Sequence, residues 1–341
     1  MFVPEFSDRE INSPGEPGIS YHMGTGFTST DIPASAQAFL DNMRSTSAER
    51  NQAMVKRVNE FLSPLVLDYD FDVLPLTPNG NATERHLCLA YARKAASMFP
   101  EESDLRTFWS EKLGVAQEEI KELPEGRPIT DLIRAKTMKQ GGVGYVKPDS
   151  GSFPKMAEMN EFSLLCGAIP TFTWLDGCSN GEQSIEELVE VGRSTGVAAF
   201  NIIPDRNYTP GQKDQKLENL NQVVKLTQDL GLPLLGGTEM NSPGQKFVDD
   251  FSSAELAPHH NLFLRGSWIL HAHSTLQRYA GMGYLSDWAE NQFSGVESKN
   301  DFYASFGESF SPRGDRILQD SLNAEMGAGE VSELAVRAMS A

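Results

Sequence analysis

The sequence predicts an α/β fold arranged as a single TIM-like (β/α) barrel, and three observations carry that expectation. Residues 167–239 read strand, helix, strand, helix, strand, the rhythm of parallel strands joined by crossover helices. The strand segments "GAIPTFTW", "VAAFNIIPD" and "LPLLGGTE" are apolar nearly throughout, as strands covered on both faces are. No G-x-G-x-x-G follows the first strand, which removes the main reason to prefer an open dinucleotide-binding sheet. A chain of 341 residues is long enough for one such barrel.

The remaining elements follow in order. Residues 1–17, rich in Pro, Gly and charge, read as a loosely held arm, and "GISYHM" (18–23) reads as a first strand. The segment from Asp31 to Leu62 has helical spacing, with Pro33 near its start where a helix tolerates it. "LVLDYDFDVLPL" (65–76) suits a strand. The next helix is opened by Asn81 and Glu84, three apart as in a capping box. Short polar helices across 100–140 read as an insertion over one end of the core, and 141–154 as a strand with its loop. In the clearest stretch, Ser184 and Glu187 open one helix and Gly231 closes the other. After residue 258 a helix runs to a turn at Gly281–Gly283, and terminal helices follow. The expected division is therefore an arm (1–17), a barrel (18–258) with its insertion, and a helical extension packed on the barrel (259–341).

With 47 acidic and 29 basic side chains the formal charge is −18, which disfavours nucleic acid and anionic membrane as partners. No apolar run approaches a spanning helix. The start, "MFVPEFSDRE", lacks the basic and apolar regions of a signal peptide, so a cytoplasmic location is expected. Cys88, Cys166 and Cys178 lack C-x-x-C spacing and read as reduced thiols. P-loop, H-E-x-x-H and G-x-S-x-G motifs are all missing.

In a parallel barrel, chemistry gathers where strands end. That rule selects His22, the stretch from Thr77 to His86, Thr173, Asp176, Asp205, Arg206, Glu239 and Asn241. Oxygen and imidazole ligands converging from several strands suit a bound cation that activates water. Each residue has a plainer reading beside this one. His22 can bond a neighbouring loop, Glu84 can cap, and Asp205 and Arg206 can form a turn with Pro204. Glu239 is hardest to explain away, because a carboxylate following a buried strand needs a compensating cation. Lys147 and Asp149, in "KPDSGSFP", read as an anion contact or a solvated turn. In "LHAHS" the pair His271 and His273 lies in a helical pattern, where residues two apart face different ways, so a structural role is expected.

The run "IPTFTWLDG…SIEELVEVGRSTGVAAFNIIPD…KLENLNQVVKLTQDLGLPLLGGTEMNSPG" resembles the closing half of the PHP (polymerase and histidinol phosphatase) superfamily over about 75 residues, 167–244. "ISYHMGTGFTSTD" is similar to that family's Asp-x-His-x-His opening and "ATERHLCLAYA" to its Thr-Asp-His segment. The resemblance implies a distorted (β/α)7 barrel in which up to three divalent metals cleave phosphoesters. Carried over, His22 matches the first histidine and Gly24 stands at the second. Glu84 matches the family's Asp, with Arg85 or His86 near its histidine. Trp174 occupies a third-motif His position, and Glu239 and Asn241 stand at Asp-x-His. With ligands replaced at several positions, one metal (Mn, Zn or Mg) is implied rather than three.

The functional expectation is thus a metal-dependent hydrolase, PHP-like or amidohydrolase-like, acting on a small polar or anionic substrate such as a sugar phosphate or sugar acid. Its metal set is His22, Glu84, His86, Glu239 and Asn241. Asp176 or Asp205 is the base, and Arg206 or Lys147 holds an anionic group. A sugar or uronate isomerase or lyase, and a catalytically inactive ligand-binding barrel, are the alternatives. A homo-oligomer is left open.

Overall fold

The computed structural model describes residues 1–146, 153–208, 211–237 and 247–340. Its elements, in chain order, are β1 (His22–Thr25), α1 (Ala34–Leu62), α2 (Glu84–Met98), α3 (Glu102–Leu113), α4 (Arg127–Thr137) and α5 (Met156–Leu165). There follow β2 (Ile169–Trp174), α6 (Asn180–Gln183), α7 (Ile185–Ser194), β3 (Ala199–Ile202), α8 (Lys213–Asp229) and β4 (Leu234–Gly236). The chain finishes with α9 (His260–Ala280), α10 (Asp287–Gln292), α11 (Val296–Ser309), α12 (Asp315–Ser321) and α13 (Ala328–Ser340). No described helix is long and apolar enough to cross a membrane. The chain divides into two compact units, one of Met1–Gln37 with Pro154–Ala341 and the other of Ala38–Phe153.

The 38–153 unit is helical, and wider than the 100–140 insertion the sequence suggested. Its core gathers Val58, Leu62, Leu87, Tyr91, Trp109, Ile129 and Ile133. The expected strand at 65–76 is instead one π-helical turn, Tyr69–Val73, running into a 3-10 turn, Leu74–Leu76. Asp68 explains the change. Its carboxylate accepts from the amides of Asp70 and Phe71 at 2.9 and 3.0 Å, holding the chain in a turn that a strand would have to open. Lys94 then pairs with Asp72 at 2.9 Å, while Tyr69 and Val73 are buried.

The other unit is built on a four-stranded mixed sheet in the order β1-β2-β3-β4. β2, β3 and β4 are parallel, with Phe172 beside Phe200 and Phe200 beside Leu234. β1 runs antiparallel to β2, His22 opposite Phe172 and Thr25 opposite Ile169. Among the described residues the strands number four and β1 does not pair with β4, so these residues form an open α/β sheet and not the closed barrel expected. The missing strands have physical causes: 65–76 coils into turns, and 141–146 is turn as well.

Cross-strand neighbours share a face. One face carries Phe172, Trp174, Phe200, Ile202 and Leu234, which pack with Met156 of α5, Leu188 of α7, and Leu220 and Val224 of α8. The opposite face carries Ile169 and Ala199, which pack with Ile269, Ala272 and Leu276 of α9. The first residues are no loose arm. Val3, Phe6 and Ile11 are fully buried in the first of these layers, and the Met1 ammonium donates to the Ser20 carbonyl at 2.7 Å. Arg9 bridges to Glu187 at 2.7 Å and to Ser184, so the expected Ser184–Glu187 capping pair serves the N-terminal segment instead.

Two glycines let α9 come close to its neighbours. A Cβ built on Gly266 would stand 1.9 Å from the Leu234 carbonyl oxygen of β4, and one on Gly307 of α11 would stand 2.0 Å from the Trp268 carbonyl oxygen of α9. Gly266→Ala is therefore expected to destabilise this unit by about 3 kcal/mol, because backbone must move. Gly281→Ala, at φ +68° with open space around it, is expected to cost about 1 kcal/mol. Urea unfolding midpoints check the order, and equal losses would contradict the close-packing argument.

Candidate functional site

The structure gives three of the five proposed metal ligands other work. His22 shares the face of Phe172, its ring edge-on to that phenyl at 6.3 Å, so it points into the layer of helices. Its Nε2 bonds Asn160 Oδ1, and Asn160 Nδ2 donates to the Thr195 carbonyl at 2.8 Å. Burial lowers the His22 pKa to about 4, outweighing the Asn160 bond. Glu84 lies in the other unit, where Arg134 at 2.7 Å, Lys139 at 3.2 Å and Arg50 at 3.5 Å surround it. Burial alone would raise its pKa, but Arg134 and Lys139 prevail and hold it below the ordinary value.

His86 closes the N-terminus of α2. Its Nδ1 accepts from the Thr83 amide at 3.0 Å and meets the Thr83 hydroxyl at 2.9 Å, so Thr83 and His86 are the cap, not Asn81 and Glu84. Glu239, Asn241 and Lys147 lie outside the described residues, as does Asp149. Among the described residues no group of three or more His, Cys, Asp or Glu is placed to hold a metal ion. The donors that are described do not gather round one cation: Glu84 is already met by three cations in the helical unit, His86 gives its Nδ1 to the cap of α2, and His22 gives its Nε2 to Asn160.

His271 and His273 sit on α9 and serve two different neighbours. His271 Nδ1 bonds the Gly307 carbonyl at 3.2 Å. His273 Nδ1 accepts from the Tyr284 amide at 3.0 Å, so in the neutral ring the proton is on Nε2, toward the backbone of Gly26 and Gly167.

The exits of β2 and β3 gather most of the remaining chemistry. Asp176 follows β2 and is held by Lys216 of α8 at 3.0 Å and by the Cys178 amide at 3.0 Å. Beside it Glu182, 2% exposed, accepts from the amides of Leu175, Asp176 and Gly177 at 2.8, 3.1 and 2.8 Å. Desolvation pushes its pKa up to about 7 against the pull of those three donors. Sequence reasoning passed over Glu182, although Ser179 three residues earlier offered the capping spacing; Ser179 Oγ does accept from the Glu182 amide.

β3 leaves through a 3-10 turn, Pro204–Asn207. Asn207 is fully buried and fixes that turn, its Nδ2 donating to the carbonyls of Ile203 at 2.9 Å and Leu175 at 3.1 Å. Asp205 Oδ1 and Asn207 Oδ1 are both buried atoms without a hydrogen-bond partner among the described residues. Arg206, between them, is exposed. The Tyr208 phenol is held above its ordinary pKa by burial first, then by the charges of Asp249, Asp205, Asp250 and Glu255. The turn after β3 thus carries two acceptors that lack donors among the described residues, in an acidic setting.

No family model matches this chain, and no curated protein matches it. Among solved structures, an amidohydrolase from Chromobacterium violaceum with bound sulfate and no metal is similar at 15% identity, over 70% of this chain and 69% of that one, with a TM-score of 0.42. A likeness at that level fixes neither fold nor chemistry.

Two outcomes test the assignments made here. Glu84→Gln should destabilise the helical unit by about 2 kcal/mol, since it leaves Arg134 and Lys139 beside a neutral amide. Urea unfolding that is unchanged by the substitution would return Glu84 to the list of free ligands. For pH, His22 and His273 have native values lowered to about 4 against 6.5 unfolded, burial being the main cause in both. The unfolded chain binds the extra protons, so their stability is present above about pH 6.5 and lost as pH falls toward 4. Glu182 acts oppositely: its raised value gives stability below 4.5 that is lost as pH rises through about 7. NMR titration of the His22 ring should show it neutral to about pH 4, and a midpoint near 6.5 would refute this placement.

Proposed function

We propose that the chain is an enzyme acting by acid–base chemistry on a small polar substrate at the exits of β2, β3 and β4, with Asp205 as its base. The observation that carries this reading is the buried Asp205 oxygen on the turn after β3, without a partner among the described residues. A carboxylate oxygen in that condition costs stability, and it is retained most naturally where a substrate hydroxyl, amine or water supplies the missing donor. In parallel α/β sheets, ligands meet the carboxyl ends of the strands, which is where this turn lies.

Asn207, fully buried, holds the turn that carries Asp205. Arg206 is the group proposed to face an anionic portion of it, and Asp176, tied to Lys216, positions the neighbouring loop. Hydrolysis is the reaction proposed first, by attack of a water that Asp205 deprotonates; sugar isomerisation uses the same base without net water. In a metal-assisted version the ligands come from Glu239 and Asn241, because His22, Glu84 and His86 are engaged elsewhere.

Asp205→Asn separates the catalytic from the structural role. Without substrate, the variant is expected to be as stable as the parent chain or more stable by about 1 kcal/mol, because an uncompensated charge has gone. In a screen of sugars, sugar acids, sugar phosphates and amides, turnover by the parent chain should fall by about a hundredfold or more in the variant. A variant that unfolds more easily and turns over substrate at the parent rate would end the proposal. Thermal stabilisation by a ligand without turnover would leave a binding protein in place of an enzyme.

A further inference from the structure

A polar cavity of about 350 Å³ lies beside the β2 exit, and neither Asp205, Arg206 nor Tyr208 lines it. Its walls come from the end of β2, from α6 and from the first turns of α8. Five lining side chains are primary amides: Gln183, Gln212, Gln215, Asn219 and Gln222. Trp174, Cys178 and Glu182 also line it, and no Lys, Arg or His is among its lining residues that are described. Two of the amides are linked, with Gln215 Nε2 donating to Asn219 Oδ1 at 3.0 Å while Asn219 Nδ2 donates to the Asp176 carbonyl at 3.0 Å. Trp174 supplies the independent pointer to a ligand. It is 1% exposed, yet its indole N–H has no hydrogen-bond partner among the described residues.

We propose that this cavity binds a neutral polyhydroxylated molecule of hexose size, with a sugar oxygen accepting from the Trp174 indole and hydroxyls bonding the surrounding amides. A hydroxyl both donates and accepts, and so does a primary amide, so a wall of amides suits a polyol at many angles. The volume is at the small end of the roughly 300–1,000 Å³ typical of ligand pockets, which fits one sugar ring. Anionic sugars are disfavoured, because a phosphate or carboxylate would meet Glu182 with no described lining cation to offset it. The indole lies at the end of β2, the buried carboxyl on α6 and the exposed Gln222 on α8, so recognition is built from all three elements.

The test follows the indole signals of the four tryptophans in ¹⁵N-labelled protein by NMR, with Trp174→Phe assigning the one of interest. Glucose, galactose and mannose are titrated into the millimolar range, beside glucose 6-phosphate and acetamide. The Trp174 signal should move saturably with at least one neutral hexose and should stay in place with the phosphate and the amide. Gln222→Ala, at an exposed position, should weaken that binding by about tenfold. Should Trp174→Phe fail to fold, calorimetric titration of the hexose into the parent chain and Gln222→Ala gives the same comparison. Asp205→Asn should retain the sugar response, which keeps this proposal distinct from the catalytic one. No hexose response, a stronger response to phosphate or acetamide, or unchanged affinity in Gln222→Ala would each overturn it.

Discussion

Strand direction governs where chemistry can collect in this protein. Because β2, β3 and β4 run the same way, their three exits share one edge of the sheet, and the residues that follow β2 and β3 gather there. Because β1 runs the other way, the residues that leave it, Gly24 to Gly26, emerge at the opposite edge beside Ile169. His22, the first residue of β1, stands opposite Phe172 near the end of β2, so the edge of the sheet does not exclude it from those exits. The face excludes it instead, since His22 shares the phenylalanine face that the helices cover and bonds Asn160 there.

Within that frame, four carboxylates show how partners decide roles. Glu84 is surrounded by cations and locks helices together. Asp176 has one cation and one amide, enough to hold a loop. Glu182 has three amides and no cation, so burial and hydrogen bonding oppose each other and its proton affinity rises. Asp205 alone among them has a buried oxygen with no partner among the described residues. Identical functional groups thus range from structural to chemically available, and their sequence neighbours do not rank them.

What the sequence made legible follows the same physics. The β2-to-β4 stretch was readable because strands buried on both faces must be apolar throughout, and all six residues of β2 are buried. α9 was readable from its spacing, which correctly set His271 and His273 on separate faces. The 65–76 segment misled because its apolar residues also fit a helical core, and the deciding event is the Asp68 side chain capturing two amides. The direction of β1 was not legible at all, since four residues carry no mark of orientation and the pairing is tertiary. At the candidate site, the strand-end rule found Asp176 and Asp205 but not Glu182, whose approach to three amides depends on how α6 folds back on β2.

One further constraint links the two polar regions at these exits. Asn207 holds the β3 turn against the Leu175 carbonyl, while the Leu175 amide donates to Glu182. The same peptide neighbourhood therefore anchors the turn that carries Asp205 and the carboxyl that lines the amide-walled cavity. Movement of Leu175 in either direction must strain a buried hydrogen bond on one side, so the two regions are mechanically coupled even though they share no lining residue. Such coupling favours a rigid strand end over a mobile one, and rigidity is what a base needs in order to hold its geometry toward a substrate.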